Sequence, residues 1–270
     1  MNRLRENLIK QKKILESQGY AVAYISIYGS QNYKLDINDE NYQSDIDMKA
    51  IIVPTLDDLI YNSKPISTVI KTEWGQCDLK DIRSYFQTLI KANPAYIETL
   101  FTDYYIVDDR FKKEFNEIFS LKDELVEKLS AQMIRAMYGM MCEKQKALCH
   151  PYPTIAHKIE KYGYDGKQLS HAIRLYVMMQ DYYSHDRSMK EALVPSDAIA
   201  MIIKAKLTQY SLEDAKYLMD LTMKQGKEFK EEILNNIDEK TIDYSIKDKF
   251  IKLSQDIIKN KIIEECRNYE

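Results

Sequence analysis

"YISIYGSQNYKL" (residues 24–35) and "SDIDMKAIIVP" (residues 44–54) decide how the first part of this chain folds. The segment "AVAYISIY" (21–28) is rich in β-branched and aromatic residues. Residues 44–54 alternate and then become a continuous apolar run closed by Pro54, so both segments read as strands of one sheet. Between them the polar, acidic "QNYKLDINDENYQ" reads as a short helical turn after Gly29-Ser30 and then a loop. A third strand is expected over 66–80, through "STVIKTEWGQCDLK".

From Asp81 the period changes. Ile82, Tyr85, Phe86, Leu89 and Ile90 recur at helical spacing, with Asp81 as the expected N-cap and Asn93-Pro94 as the stop. "PAYIETLFTDYYIV" (94–107) reads as helical and then extended, and almost everything beyond it as helical. Leu125, Leu129, Met133, Ala136 and Met140 form one apolar stripe, Ile246, Phe250, Leu253 and Ile257 another, and Ser211 with Asp214 forms a capping-box pattern. The N-terminal twenty residues read as an amphipathic helix ended by Gly19. The expected fold class is α+β: a mixed sheet flanked by helices over 1–115, followed by an all-helical lobe over 116–270.

Composition narrows the function classes. Of the 270 residues 45% are hydrophobic and 30% charged, the balance of an ordinary globular protein, and a net charge of -3 argues against a globally basic nucleic-acid binder. Cys77, Cys142, Cys149 and Cys266 include no CxxC, which fits reduced thiols in a cytoplasmic protein, and with His150 and His157 they lack zinc spacing. Neither a secretory signal nor a membrane span is expected.

The chemistry concentrates in the first part. A strand leading into Gly29-Ser30 and a helical turn is an arrangement that can receive phosphate, because glycine lets the backbone approach closely and the serine hydroxyl adds a donor; a plain turn is the alternative. In an extended strand Asp45 and Asp47 project from one face while Ile46 and Met48 pack on the other. Two adjacent carboxylates repel unless a cation lies between them, and Mg²⁺, with its preference for oxygen, is the natural partner; an exposed, solvated edge at a strand start is the alternative. Asp78 supplies a third carboxylate on a neighbouring strand. On "YDGKQLSHAIRLYVMM", Lys167, His171 and Arg174 follow an Asp-Gly turn along one helix ridge that could meet a phosphate, or could be a solvated face.

Taken in order, the strand, Gly29-Ser30 and Asp45-Ile46-Asp47-Met48 resemble the DNA polymerase β-like nucleotidyltransferase superfamily. "YGSQNY", "SDIDMKAIIVP", "DLKDIRSYF" and "KANPAYIETLF" are similar to predicted bacterial and phage nucleotidyltransferases with a helical C-terminal lobe. The resemblance implies a nucleotidyltransferase-type mixed sheet carrying a nucleoside triphosphate (NTP), ATP among the candidates, and two Mg²⁺ ions, with Mn²⁺ able to substitute. It implies that Gly29 and Ser30 hold the terminal phosphates, that Asp45, Asp47 and Asp78 are catalytic metal ligands, and that Asp78 acts as base on the acceptor. Lys167, His171 and Arg174 would add phosphate contacts. The implied activity is transfer of a nucleoside monophosphate to a hydroxyl on an RNA 3′ end, a protein or a small molecule. The alternative is a catalytically silent nucleotide-binding sensor whose helical lobe binds a partner. The stretch from Gln31 to Ser44 is slightly longer than usual for the superfamily, which bears on the intervening helix.

Overall fold

Side-chain alternation builds a sheet with two unlike faces. In the computed structural model, which describes residues 3–40, 42–185, 187–238 and 244–267, strands β1 (Val22–Tyr28), β2 (Asp47–Ile52), β3 (Ser67–Lys71), β4 (Gln76–Asp81) and β5 (Tyr105–Val107) form one mixed sheet in the order β3-β4-β2-β1-β5. β1 is antiparallel to β2 and β5, β3 is antiparallel to β4, and β2 runs parallel to β4. Ile25 and Ile27 of β1, Met48 and Ala50 of β2, and Cys77 and Leu79 of β4 share the apolar face and pack with Leu8 and Leu15 of helix α1 (Arg3–Ser17). Burial of each Ile, Leu or Met side chain among them contributes about 1.5–3 kcal/mol.

The opposite face carries Ser26 and Tyr28, Asp47 and Lys49, and Gln76 and Asp78 on the same three strands. After β2 the chain forms α2 (Leu56–Tyr61), and after β4 it forms α3 (Ile82–Leu89) and α4 (Pro94–Ile97), with a 3₁₀ turn over Glu98–Leu100. Asp81 caps α3 by accepting from the Arg83 amide, as its position before an apolar helical stripe predicts. Asn93 caps α4 and Pro94 occupies its first turn. The Tyr24 hydroxyl donates to the Thr99 carbonyl and Tyr85 pairs with the Thr99 hydroxyl at 2.9 Å, fixing this helical segment against the sheet.

Helices α5 (Lys112–Ser120), α6 (Lys122–Lys128) and α13 (Ser245–Arg267) also belong to this first compact unit, Met1–Leu129 with Asp243–Glu270. Phe86 of α3 lies 5.9 Å from Phe250 of α13, centroid to centroid, and Lys249 of α13 pairs with Glu124 of α6 at 3.1 Å. The expected division at residue 115 therefore differs from the compact units observed. Ile246, Phe250, Leu253 and Ile257, read correctly as one apolar stripe, are buried within the first unit.

The second unit, Ser130–Ile242, contains α7 (Ser130–Ala147), α8 (Ala156–Tyr162), α9 (Gly166–Tyr183), α10 (Met189–Ala192), α11 (Ile199–Lys206) and α12 (Leu212–Asn235). Helix α9 is its core element, burying Leu169, Ala172, Ile173, Leu175, Met178 and Met179 among other residues. Ser211 caps α12 by accepting from the Asp214 amide. The expected stripe through Leu125 to Met140 is interrupted at Leu129, where α6 ends, and α7 buries Met137 and Met141 instead of Ala136 and Met140.

One further expectation is corrected. The segment 66–80 is a hairpin of two strands, because Thr72 through Gly75 make a turn: the Thr72 amide donates to the Gly75 carbonyl at 3.0 Å, and the Thr72 hydroxyl accepts from the amides of Trp74 and Gly75. The sequence shows no proline and no Asn-Gly there, and Gly75 is the one turn residue that marks the break.

At α2, Thr55 and Asp58 form a reciprocal capping box, and Asp58 also accepts from Ser63 at 2.6 Å and from Lys64 at 3.3 Å. Burial alone would raise the Asp58 carboxyl, but the hydrogen bonds from Ser63 and Thr55, with the Lys64 charge, pull it down to about 2. A carboxyl lowered on folding stabilises the fold above its unfolded value of about 3.9, and the benefit is lost as pH falls through the folded value. Asp58→Ala is expected to cost about 1 kcal/mol at pH 7 in urea unfolding, with the gap to the parent narrowing below pH of about 4.

Candidate active site

Three strand ends meet at one edge of the sheet. Because β1 and β2 are antiparallel with Tyr28 opposite Asp47, the chain leaves β1 at Gly29 beside the point where it enters β2. Because β4 is parallel to β2, with Asp78 opposite Lys49, β4 also enters the sheet at this end. Gly29, Ser30, Asp45, Asp47 and Asp78 thus lie in one unit and at one end of its sheet.

Gly29 and Ser30 open a 3₁₀ turn over Gly29–Gln31. Gly29 adopts φ +82°, a conformation that only glycine reaches without cost, while a Cβ there would meet nothing within 4 Å. The requirement is for backbone shape. Its amide donates at 3.0 Å to Oε1 of Glu98, which is only 2% exposed and also accepts from the Tyr33 hydroxyl. The Gly29 amide, in the turn expected to receive phosphate, is therefore engaged by a buried carboxylate, leaving Ser30 as the residue of the pair that could meet phosphate.

Asp45 is exposed just before β2, Asp47 is partly buried at its first position, and Ile46 and Met48 are buried in the core on the other side, as the alternation predicts. The β3–β4 hairpin holds this segment: the Ile46 amide donates to the Trp74 carbonyl at 2.7 Å and the Gln76 amide to Asp47 Oδ1 at 3.2 Å. A Cβ on Gly75 would lie 2.9 Å from Asp47 Oδ1, 2.9 Å from the Ile46 carbonyl oxygen and 3.1 Å from the Asp45 Cβ. Gly75 thus lets the hairpin tip pass close against the Asp45–Asp47 segment and the Asp47 carboxylate.

Asp78 is differently placed. Its Oδ2 accepts from Lys49 Nζ at 3.1 Å and from the Tyr96 hydroxyl at 2.6 Å. The Lys49 ammonium lies 3.8 Å from the Tyr28 ring centroid and 4.4 Å from that of Tyr96. Its side chain is 5% exposed, against 16% for Asp78. Burial, then the charge of Asp47, and beyond that the charges of Asp78 and Glu98, push the Tyr28 phenol well above its ordinary value. One hydroxyl thus senses three carboxylates. Burial, with the proton that Tyr96 donates to Asp78, raises the Tyr96 phenol likewise. Burial and the Asp78 charge push the Cys77 thiol up to about 12, so it is no nucleophile.

Asp45 and Asp47 suit a hard divalent cation: two oxygen-donor side chains at one strand entrance, over a cradle that a single methyl group would fill. Asp78 fits that role less well, since a lysine ammonium already compensates it. Among the described residues no group of three or more His, Cys, Asp or Glu is arranged to hold an ion.

Lys167, His171 and Arg174 lie on α9 in the second unit. They do not form one solvated ridge: His171 is exposed, Lys167 half-buried, and Arg174 buried with Nη1 3.8 Å from Met178 Sδ. Asp165, expected in a turn, is the buried N-cap of α9, accepting from the Lys167 amide at 3.2 Å. Sequence reading missed Lys49, Gly75 and Tyr96, and the helical reading after the Asn93-Pro94 stop gave no sign of the Glu98 contacts. Lys49 carried a signal, lying two positions beyond Asp47 on the same strand face, and so did Gly75, a lone glycine inside a strand-like run.

No family model matches the chain, and no curated protein matches it. Among solved structures it is similar to a nucleotidyltransferase-like protein from Exiguobacterium sibiricum, at 10% identity over 86% of this chain and 80% of the other, with a TM-score of 0.30. Among the described residues no helix is long and apolar enough to cross a membrane.

Gly75→Ala is expected to destabilise the protein by about 1–3 kcal/mol through crowding of the Asp45–Asp47 segment, read as a lower urea midpoint. Glu98→Ala should cost about as much, because it leaves the Gly29 amide without its charged acceptor.

Proposed function

We propose that the first unit is a nucleotidyltransferase lobe that moves a nucleoside monophosphate from an NTP to a hydroxyl acceptor, releasing pyrophosphate. The observation that carries this reading is the convergence of the Gly29-Ser30 turn with the carboxylates of Asp45, Asp47 and Asp78 at one end of the sheet. Asp45 and Asp47 lie two positions apart at the strand entrance, and a chemistry that brings cations and phosphates together gives two neighbouring carboxylates a reason to be there.

In this reading Asp45 and Asp47 hold Mg²⁺, for which Mn²⁺ can substitute, and Ser30 donates its hydroxyl and amide to the terminal phosphates. Bound Mg²⁺ supplies neutralisation of the triphosphate charge. Asp78 takes the proton of the acceptor hydroxyl as that oxygen bonds to the α-phosphorus and the bond to pyrophosphate breaks. Lys49 and Tyr96 orient the Asp78 carboxylate through their hydrogen bonds to Oδ2. The acceptor is an RNA 3′ end, a protein side chain or a small molecule. The reading rests on the first unit alone.

Each labelled NTP, with Mg²⁺ and candidate acceptors, should yield a labelled product that disappears with EDTA and falls by at least about a hundredfold in Asp45→Asn and Asp47→Asn. Mg²⁺ with the productive NTP should raise the melting temperature of the parent, about 2.7 kcal/mol of stabilisation at a hundred times Kd, and should fail to do so in the two variants. Full transfer by either variant would overturn the metal assignment. Tight NTP binding in EDTA without turnover would favour the silent nucleotide sensor.

A further inference from the structure

We infer that the Lys49 ammonium takes the place of a second divalent ion at Asp78, so that the site works with one metal, held by Asp45 and Asp47. This rests on the nucleotidyltransferase reading above and goes beyond it.

Lys49 is nearly withdrawn from water, and its compensation comes from Asp78 Oδ2 at 3.1 Å and the faces of Tyr28 and Tyr96. The two rings hold the ammonium in place. β2 supplies the lysine directly opposite Asp78 in the parallel register, so the pair is set by strand pairing as well as by side-chain rotamers. A divalent ion on Asp78 would stand against this fixed positive charge in a partly desolvated site, where repulsion is screened far less than in water. The second Asp78 contact, the Tyr96 hydroxyl at 2.6 Å, lies on the same oxygen as the lysine. One carboxylate oxygen thus serves both organising groups. Asp45 and Asp47, by contrast, rest on the Gly75 cradle.

Lys80 is the other cation near Asp78. Burial lowers its ammonium, with Asp78 opposing and Lys49 reinforcing that shift, and its Nζ lies 4.3 Å from the Tyr96 ring centroid. It serves as the control for a general loss of positive charge.

The test counts ions directly. Mn²⁺ is titrated into the full chain with α,β-methylene-ATP, and then with the GTP, CTP and UTP analogues, and bound Mn²⁺ is counted by electron paramagnetic resonance. The parent should bind one Mn²⁺ per chain with the nucleotide, Asp78→Asn should still bind one, and Lys49→Met should bind two. Lys49→Arg, which keeps the charge and guards against a folding defect in Lys49→Met, should stay at one, as should Lys80→Met. Two ions in the parent, with one lost in Asp78→Asn, would overturn the inference and leave the nucleotidyltransferase reading standing. One ion in Lys49→Met would overturn Lys49 as the group that excludes the second. Absence of nucleotide-dependent Mn²⁺ binding in the parent would overturn the reading beneath it.

Discussion

The register of β1 against β2 is the constraint on which the candidate site depends. Tyr28 sits opposite Asp47, Ile27 opposite Met48 and Ser26 opposite Lys49, so a slip of one residue would send the acidic side chains into the core and the aliphatic ones into solvent. The apolar cluster with Leu8 and Leu15 of α1 resists that slip, because every inward residue of the three central strands would lose its packing. Core and site are two faces of one pairing, and the cost of moving the first holds the second in place.

Charge at this edge is handled in two ways. Asp45 and Asp47, at the strand entrance, keep contact with water and accept backbone support from the β3–β4 hairpin. Asp78, deeper along β4, is compensated within the protein by Lys49 and by the Tyr96 hydroxyl. Breaking a buried ion pair by removing one partner leaves a charge stranded in low dielectric, which is why the lysine and the aspartate face each other across adjacent strands. The aromatic walls at Tyr28 and Tyr96 add cation–π attraction to a cation that has surrendered most of its hydration.

Glu98 gives the same edge its shape. A carboxylate 2% exposed costs free energy unless its oxygens are satisfied, and here the Gly29 amide and the Tyr33 hydroxyl satisfy them. The turn after β1 is thereby tied to the 3₁₀ segment that follows α4, and Thr99 next door is tied to Tyr24 and Tyr85. The positive φ of Gly29 turns the chain sharply away from β1 immediately after its amide meets a group from 69 residues further along.

Local pattern in the sequence determined much of this protein. The period-two run around Asp45 and Asp47, the helical period from Ile82, the caps at Asp81 and Ser211, and the inward stripe of Ile246 to Ile257 were legible because each depends on residues within a few positions of one another. What the tertiary structure alone decided involves partners distant in the chain. The Lys49–Asp78 pair spans 29 positions and the Glu98 contact with Gly29 spans 69; the hairpin at Gly75 is marked by how closely Asp45 and Asp47 approach it. The return of α13 to the first unit is of the same kind, since an apolar stripe announces that it will be buried and says nothing about where. Burial has no direction along the chain, and only the closed fold chooses which side chains share one pocket of low dielectric.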